Sequence, residues 1–174
     1  MRWDTNLFFI ILPFLIILSG CSAVGVPMTF NPEKKLRYAE VLFNDSDRPL
    51  PAEPLIYEAI MIYKNKNDEV GLAKAYRTYA YFLQSPTLKR WEEDYQRYDF
   101  MDKTVTLNNR YEKALEYWIN ALQLFEKNSK YAEASNVYFN MATLYHHKFM
   151  NNKMACANLE KSLISHKKSV VSRY

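Results

Sequence analysis

Three histidines and two cysteines are the softest metal ligands and nucleophiles in this 174-residue chain, and their spacing limits what they can do. His146 and His147 are adjacent, and neighbours on a helix point about 100° apart, so they do not converge on one metal. His166 has no carboxylate at ligand spacing. Asn44-Asp45-Ser46-Asp47 resembles the start of a calcium loop but lacks the glycine and the distal glutamate that such a loop needs. Glu92-Glu93 sits in a charged run that reads as solvent-facing. No activated-serine elbow and no phosphate loop is present in the sequence. The expectation is therefore a protein that is not an enzyme and holds neither metal nor cofactor. Cys156, between two alanines, is expected to pack as a small hydrophobe. Cys21 stands apart, because it ends an apolar run from Leu7 to Leu18 followed by Ser19 and Gly20. A run of about a dozen residues suits the core of a secretory signal better than a span of roughly twenty.

Leu18-Ser19-Gly20-Cys21 resembles the lipobox of bacterial lipoproteins. The resemblance implies cleavage before Cys21 and acylation of its sulfur and new amino terminus, which anchors the chain to a membrane. Ser22, where retained inner-membrane lipoproteins carry aspartate, implies the inner leaflet of an outer membrane, with the domain facing the periplasm. The competing reading is an uncleaved anchor, because no charge occurs from Thr5 to Phe30. Ser19, Gly20, Ser22, Gly25 and Pro27 dilute that stretch and disfavour it.

Composition narrows the class of the remainder. About 150 residues are enough for one domain with a real core. The net charge of +4 is mild and spread along the chain, unlike a nucleic-acid footprint. Three glycines are too few for tight hairpins or nucleotide-binding turns. With Ala, Leu, Glu, Lys, Tyr and Met dominant at three- and four-residue spacing, the domain is expected to be all-α. Lys161, His166, Lys167, Lys168 and Arg173 make the C-terminal end basic, which reads as a solvated helix end.

The elements that must position any binding residues come next. Tyr138, Met141, Ala142 and Tyr145 alternate large and small side chains on one helix, and Ala155, Leu159, Ser162 and Leu163 repeat the order on another. This pattern resembles the tetratricopeptide repeat, a 34-residue pair of antiparallel helices. Tyr76 to Leu83 with Tyr111 to Leu122 resembles a second unit, and Leu36 to Leu42 with Leu55 to Tyr63 a third, weaker one. The resemblance implies a helix-turn-helix repeat stack of about three units over residues 33–168. A signal peptide at 1–20, an acylated tether at 21–32 and a basic tail at 169–174 complete the expected organisation. An insertion at about 85–106 carries Leu88, Trp91, Tyr95 and Tyr98 on one stripe, which predicts a single amphipathic helix of about ten to fourteen residues.

Function is then expected to be binding. The first helices of tetratricopeptide pairs line a groove for a peptide or a partner surface. Matched positions here are Lys74, Arg77 and Tyr81 in the middle unit and Asn136, Phe139, Thr143 and His146 in the last. Lys74 and Arg77 are candidates to hold a partner carboxylate. Trp91, Tyr95 and Tyr98 are candidate anchors, since aromatic residues dominate interface energetics, although the same stripe also fits a role in the core. The partner is expected to be another protein. One option is a secreted toxin, such as a type VI lipase effector, which would make the chain an immunity protein. Another is a subunit of a secretion or pilus machine, which would make it a pilotin-like assembly scaffold. A small apolar ligand or glycan is the alternative of another class. Exposed ends of a short stack also favour a homodimer. Replacing Cys21 by serine is expected to abolish incorporation of labelled palmitate in growing cells, and label retained by that variant would contradict lipidation at Cys21.

Overall fold

A computed structural model describes residues 25–26 and 28–172. Cys21 and the apolar run before it lie outside the described residues. Among those described there are eight helices and no strand. In chain order they are α1 (Pro32–Asn44), α2 (Pro49–Asn65), α3 (Glu69–Gln84), α4 (Thr87–Arg90), α5 (Glu92–Tyr98), α6 (Arg110–Lys127), α7 (Tyr131–His147) and α8 (Asn152–Val171). No helix among the described residues is long and apolar enough to cross a membrane.

Local chemistry sets the helix ends. The Asn31 side chain accepts from the Glu33 and Lys34 amides, Asp68 from Gly71, and Asn151 from Met154, each satisfying donors that a helix start leaves open. Pro49 and Pro51 open α2. The first turn of a helix needs no amide donor there, so proline costs little. The chain reverses without glycine. Asp47, Asn67, Ser129 and Met150 take φ between 51° and 55° after α1, α2, α6 and α7. At each, a following amide reaches back to a carbonyl of the last helical turn, as from Lys130 to Phe125 and from Asn151 to Tyr145.

Contacts between helices follow chain order: α1 packs on α2, α2 on α3, α3 on α6, α6 on α7 and α7 on α8, with α3 also touching α1. The last pair is antiparallel, because Ser135 meets Ser162, Lys161 lies over Tyr138 and His146 meets Asn152. The α3–α6 pair is antiparallel too: Leu83 accepts from Arg110, Tyr76 rests on Tyr117, and Lys127 pairs with Glu69. Helices α1 and α3 run parallel, linked from Glu33 to Lys74 and from Glu40 to Thr78. Fully buried alanines, among them Ala59, Ala80, Ala114 and Ala121, permit this close approach, and Trp118, Phe43, Phe82 and Phe125 fill the space between. At Gly71 a Cβ would overlap the Tyr63 ring, so glycine is required by contact and not by its backbone angle.

Two sequence expectations are corrected here. The inserted stripe forms two short helices and not one. Trp91, at φ −106° and ψ 25°, leaves helical geometry between α4 and α5. Residues 169–171 belong to α8, with Ser169 buried, so the helix runs past the boundary expected at 168.

Candidate functional site

The groove positions inferred from sequence divide between two surfaces. Lys74 and Arg77 of α3 line a polar groove of roughly 390 Å³ against Glu33, Arg37 and Glu40 of α1. The Lys74 ammonium lies 3.1 Å from Glu33, and Thr78 donates to Glu40 at 3.0 Å. The Arg77 guanidinium covers the Phe125 ring at 5.8 Å. Arg37 has no ion pair among the described residues. The groove therefore presents mixed charge with basic groups in excess, counting Lys34 on its rim.

Phe139, Thr143 and His146 lie elsewhere, in an apolar trough of roughly 540 Å³ between α7 and α8. Ala142, His147, Asn152, Ala155, Cys156 and Leu159 complete it. Asn136 sits one turn before Phe139 on the same stripe of α7 but does not line the trough. His146 Nδ1 lies 2.8 Å from the Asn152 side-chain oxygen. Cys156, expected inside, is exposed. Tyr81 lies between the two surfaces. Its hydroxyl accepts from Asn140 of α7 at 2.9 Å, and its ring meets Trp118 edge-on at 4.6 Å. Tyr81 thus ties the α3 surface to the α7 surface.

The inserted aromatics do not act as one exposed anchor. Tyr95 is 3 % exposed, stacked on Phe100 at 4.4 Å, and so cannot meet a partner while the domain is folded. Trp91 is half-buried against the core, and Tyr98 is exposed beneath Arg97. Leu88 is fully buried. Asp47 of the Asn44–Asp47 loop is occupied in holding this segment. It accepts from Thr87 and from both Nε and Nη2 of Arg90, and the Arg90 and Thr87 hydrogen bonds hold its carboxyl below the usual range. Among the described residues, no three His, Cys, Asp or Glu side chains gather where a metal could sit.

What the sequence reading missed is Glu53. It lies inside α2, is 3 % exposed, and accepts from the Tyr79 hydroxyl at 2.7 Å and the Met101 amide at 2.9 Å. Burial outweighs these two bonds and pushes its carboxyl up to about 7. The buried Tyr95 hydroxyl also faces this carboxyl, and burial together with the carboxyl's proximity pushes the phenol well above its usual range. The available signal was a glutamate spaced with Ala52, Ile56 and Ala59 on an apolar face. Nearby, Tyr117 of α6 donates to Asp102 at 2.7 Å and secures the other end of the inserted segment.

Comparison with known proteins gave no match: no family model fits the chain, and no curated protein or solved structure is similar to it.

Glu53 carries a pH signature. The fold favours its neutral form, so its contribution is full below about pH 4.5 and is lost as the pH rises through about 7. Glu53→Gln keeps an acceptor for Tyr79 and Met101 without the charge. The variant is expected to exceed the native chain in stability by about 3 kcal/mol at pH 8, with the gain vanishing near pH 4. Paired urea titrations at the two pH values measure this, and a gain independent of pH would contradict it.

Proposed function

We propose that this chain is a lipid-anchored, non-enzymatic module that binds another protein at the bacterial envelope, built as a short stack of tetratricopeptide-like helix pairs. The antiparallel pairing of α3 with α6 and of α7 with α8, and the parallel run of α1 beside α3, support the repeat reading. The lipobox-like Leu18 to Cys21 supports the anchor and the periplasmic location.

The observation that carries the binding reading is the pair of open surfaces: the polar α1/α3 groove and the apolar α7/α8 trough. Both are shallow troughs along helices and not closed cavities, which suits the surface of a macromolecule better than an enclosed lipid or sugar. Large apolar side chains at the surface, with Phe139 at 56 % and Leu163 at 64 % exposure, are typical of contact sites. An immunity role and a scaffold role both use such surfaces, and the identity of the partner separates them.

The test places a photoreactive residue at Arg77 in the full anchored chain, with Lys66 at the end of α2 as a control, in cells grown with and without competing siblings. Light-dependent capture of one protein from position 77 and not from 66 is the expected result. A secreted effector as the captured species makes this an immunity protein, and a resident envelope subunit makes it a scaffold. No protein adduct under either condition, with lipid or sugar released on denaturation, would overturn the proposal.

A further inference from the structure

Helix α8 turns its polarity the opposite way from most surface helices. Its inward residues are small or polar: Ala155, Asn158, Ser165 and Ser169. Ser162 and Ser135 also exchange hydrogen bonds, each hydroxyl donating to the other's carbonyl at 2.9 Å. The large apolar residues Leu159, Leu163, Ile164 and Val170 point outward, where a helix normally carries charge. The apolar stripe is therefore not spent on this domain's own core.

Its spacing is specific. Cys156, Leu159, Leu163, His166 and Val170 follow one another at intervals of three, four, three and four. That is the seam with which one helix receives another along its length. The seam covers about 21 Å at 1.5 Å per residue. Phe139 and Ala142 of α7 form a second wall beside Cys156 and Leu159, so the surface begins as a trough between two helices and continues along α8 as the exposed Leu163 and Val170. The domain already fills such a surface once, where α3 lies against both α1 and α2. Among the described residues no helix lies on the corresponding surface of α7 and α8.

We propose that this trough receives an amphipathic α-helix of a partner protein, one with apolar residues at heptad spacing and acidic residues along its flanks. The inference rests on the protein-binding reading above and names the chemistry of the partner. Charge selects the occupant. Along the open flank of the seam α8 carries Lys153 and Lys167 against Glu160, while Lys161 and Lys168 lie over the Tyr138 and Tyr131 rings of α7, so an acidic helix is drawn in and a basic one repelled. A second copy of this chain would bring the same lysines face to face. A membrane surface, being flat, would leave the trough floor at Ala142 and Ala155 uncovered.

The experiment uses the full chain in zwitterionic nanodiscs and a fluorescent 21-residue peptide with leucine at the seam positions and glutamate at the flanks. A second peptide has lysine in place of every glutamate. Anisotropy is expected to give saturable micromolar binding of the acidic peptide, at least tenfold weaker binding of the basic one, and weakening by salt. Leu163→Glu, at an exposed position that the fold tolerates, is expected to reduce acidic-peptide binding at least tenfold, Leu163→Ala by less, and Lys66→Glu not at all. The proposal is overturned by equal binding of the two peptides, by binding that survives Leu163→Glu, or by no binding. It is equally overturned if Leu163→Glu instead dissolves a dimer seen in sedimentation or abolishes adsorption to anionic vesicles. If the peptides fail while position 77 still captures a protein in cells, this inference falls alone; if both fail, the protein-binding reading falls with it.

Discussion

The hydrogen bond from Tyr79 to the buried carboxyl of Glu53 is where the separate parts of this domain meet. Tyr79 belongs to α3, the helix that touches α1, α2 and α6. Its ring packs edge-on against Tyr57 of α2 at 6.0 Å and Tyr117 of α6 at 4.7 Å, and stacks on Phe82 at 5.7 Å. Glu53 brings in α2 and, through the Met101 amide, the inserted segment. Removing one partner leaves a buried polar group without its bond, which costs about 1–3 kcal/mol and more if the group is charged. Four parts of the chain thus depend on one carboxyl that the interior holds near its point of neutralisation.

That node explains why the insertion does not hang free. Leu88, Tyr95 and Phe100 are buried, Asp47 grips Thr87 and Arg90, and Asp102 is held by Tyr117. An insertion between α3 and α6 lengthens the connection, yet the two helices still pack antiparallel, with Arg110 donating to the Leu83 and Ser85 carbonyls at the join. The segment serves the core, and the polar groove and the apolar trough lie on the helices before and after it.

The helices were legible because apolar spacing, helix caps and the shortage of glycine all point the same way. Leu36, Ala39 and Leu42 in one helix and Ala114, Trp118 and Ala121 in another fall on the apolar spacing and are buried. The inserted stripe was legible as helical but not as broken, because the backbone of Trp91 departs from the helix for tertiary reasons that its neighbours do not encode. Glu53 was missed because a glutamate on a helix is usually solvated, and only the partners supplied by α3 and by Met101 make its burial tolerable. The candidate residues of α7 were legible as one stripe, but their division from Lys74 and Arg77 follows from how far apart α1 and α8 lie in the order of packing. Cys156 was expected inside because alanines flank it. The inward stripe of α8 instead carries asparagine and serine, a polarity that periodicity alone assigns to solvent.

The account is tested most directly at Glu53 itself. Following its side-chain carboxyl carbon by NMR as the pH is raised, in the intact chain with Glu53 assigned by comparison with Glu53→Gln, reads its titration without perturbing the fold. A midpoint near 7 is predicted, accompanied by shifts of the Met101 amide over the same range. A midpoint near 4.5, the value of a free glutamate, would place the carboxyl in water and contradict the buried node on which the arrangement of α2, α3, α6 and the inserted segment depends.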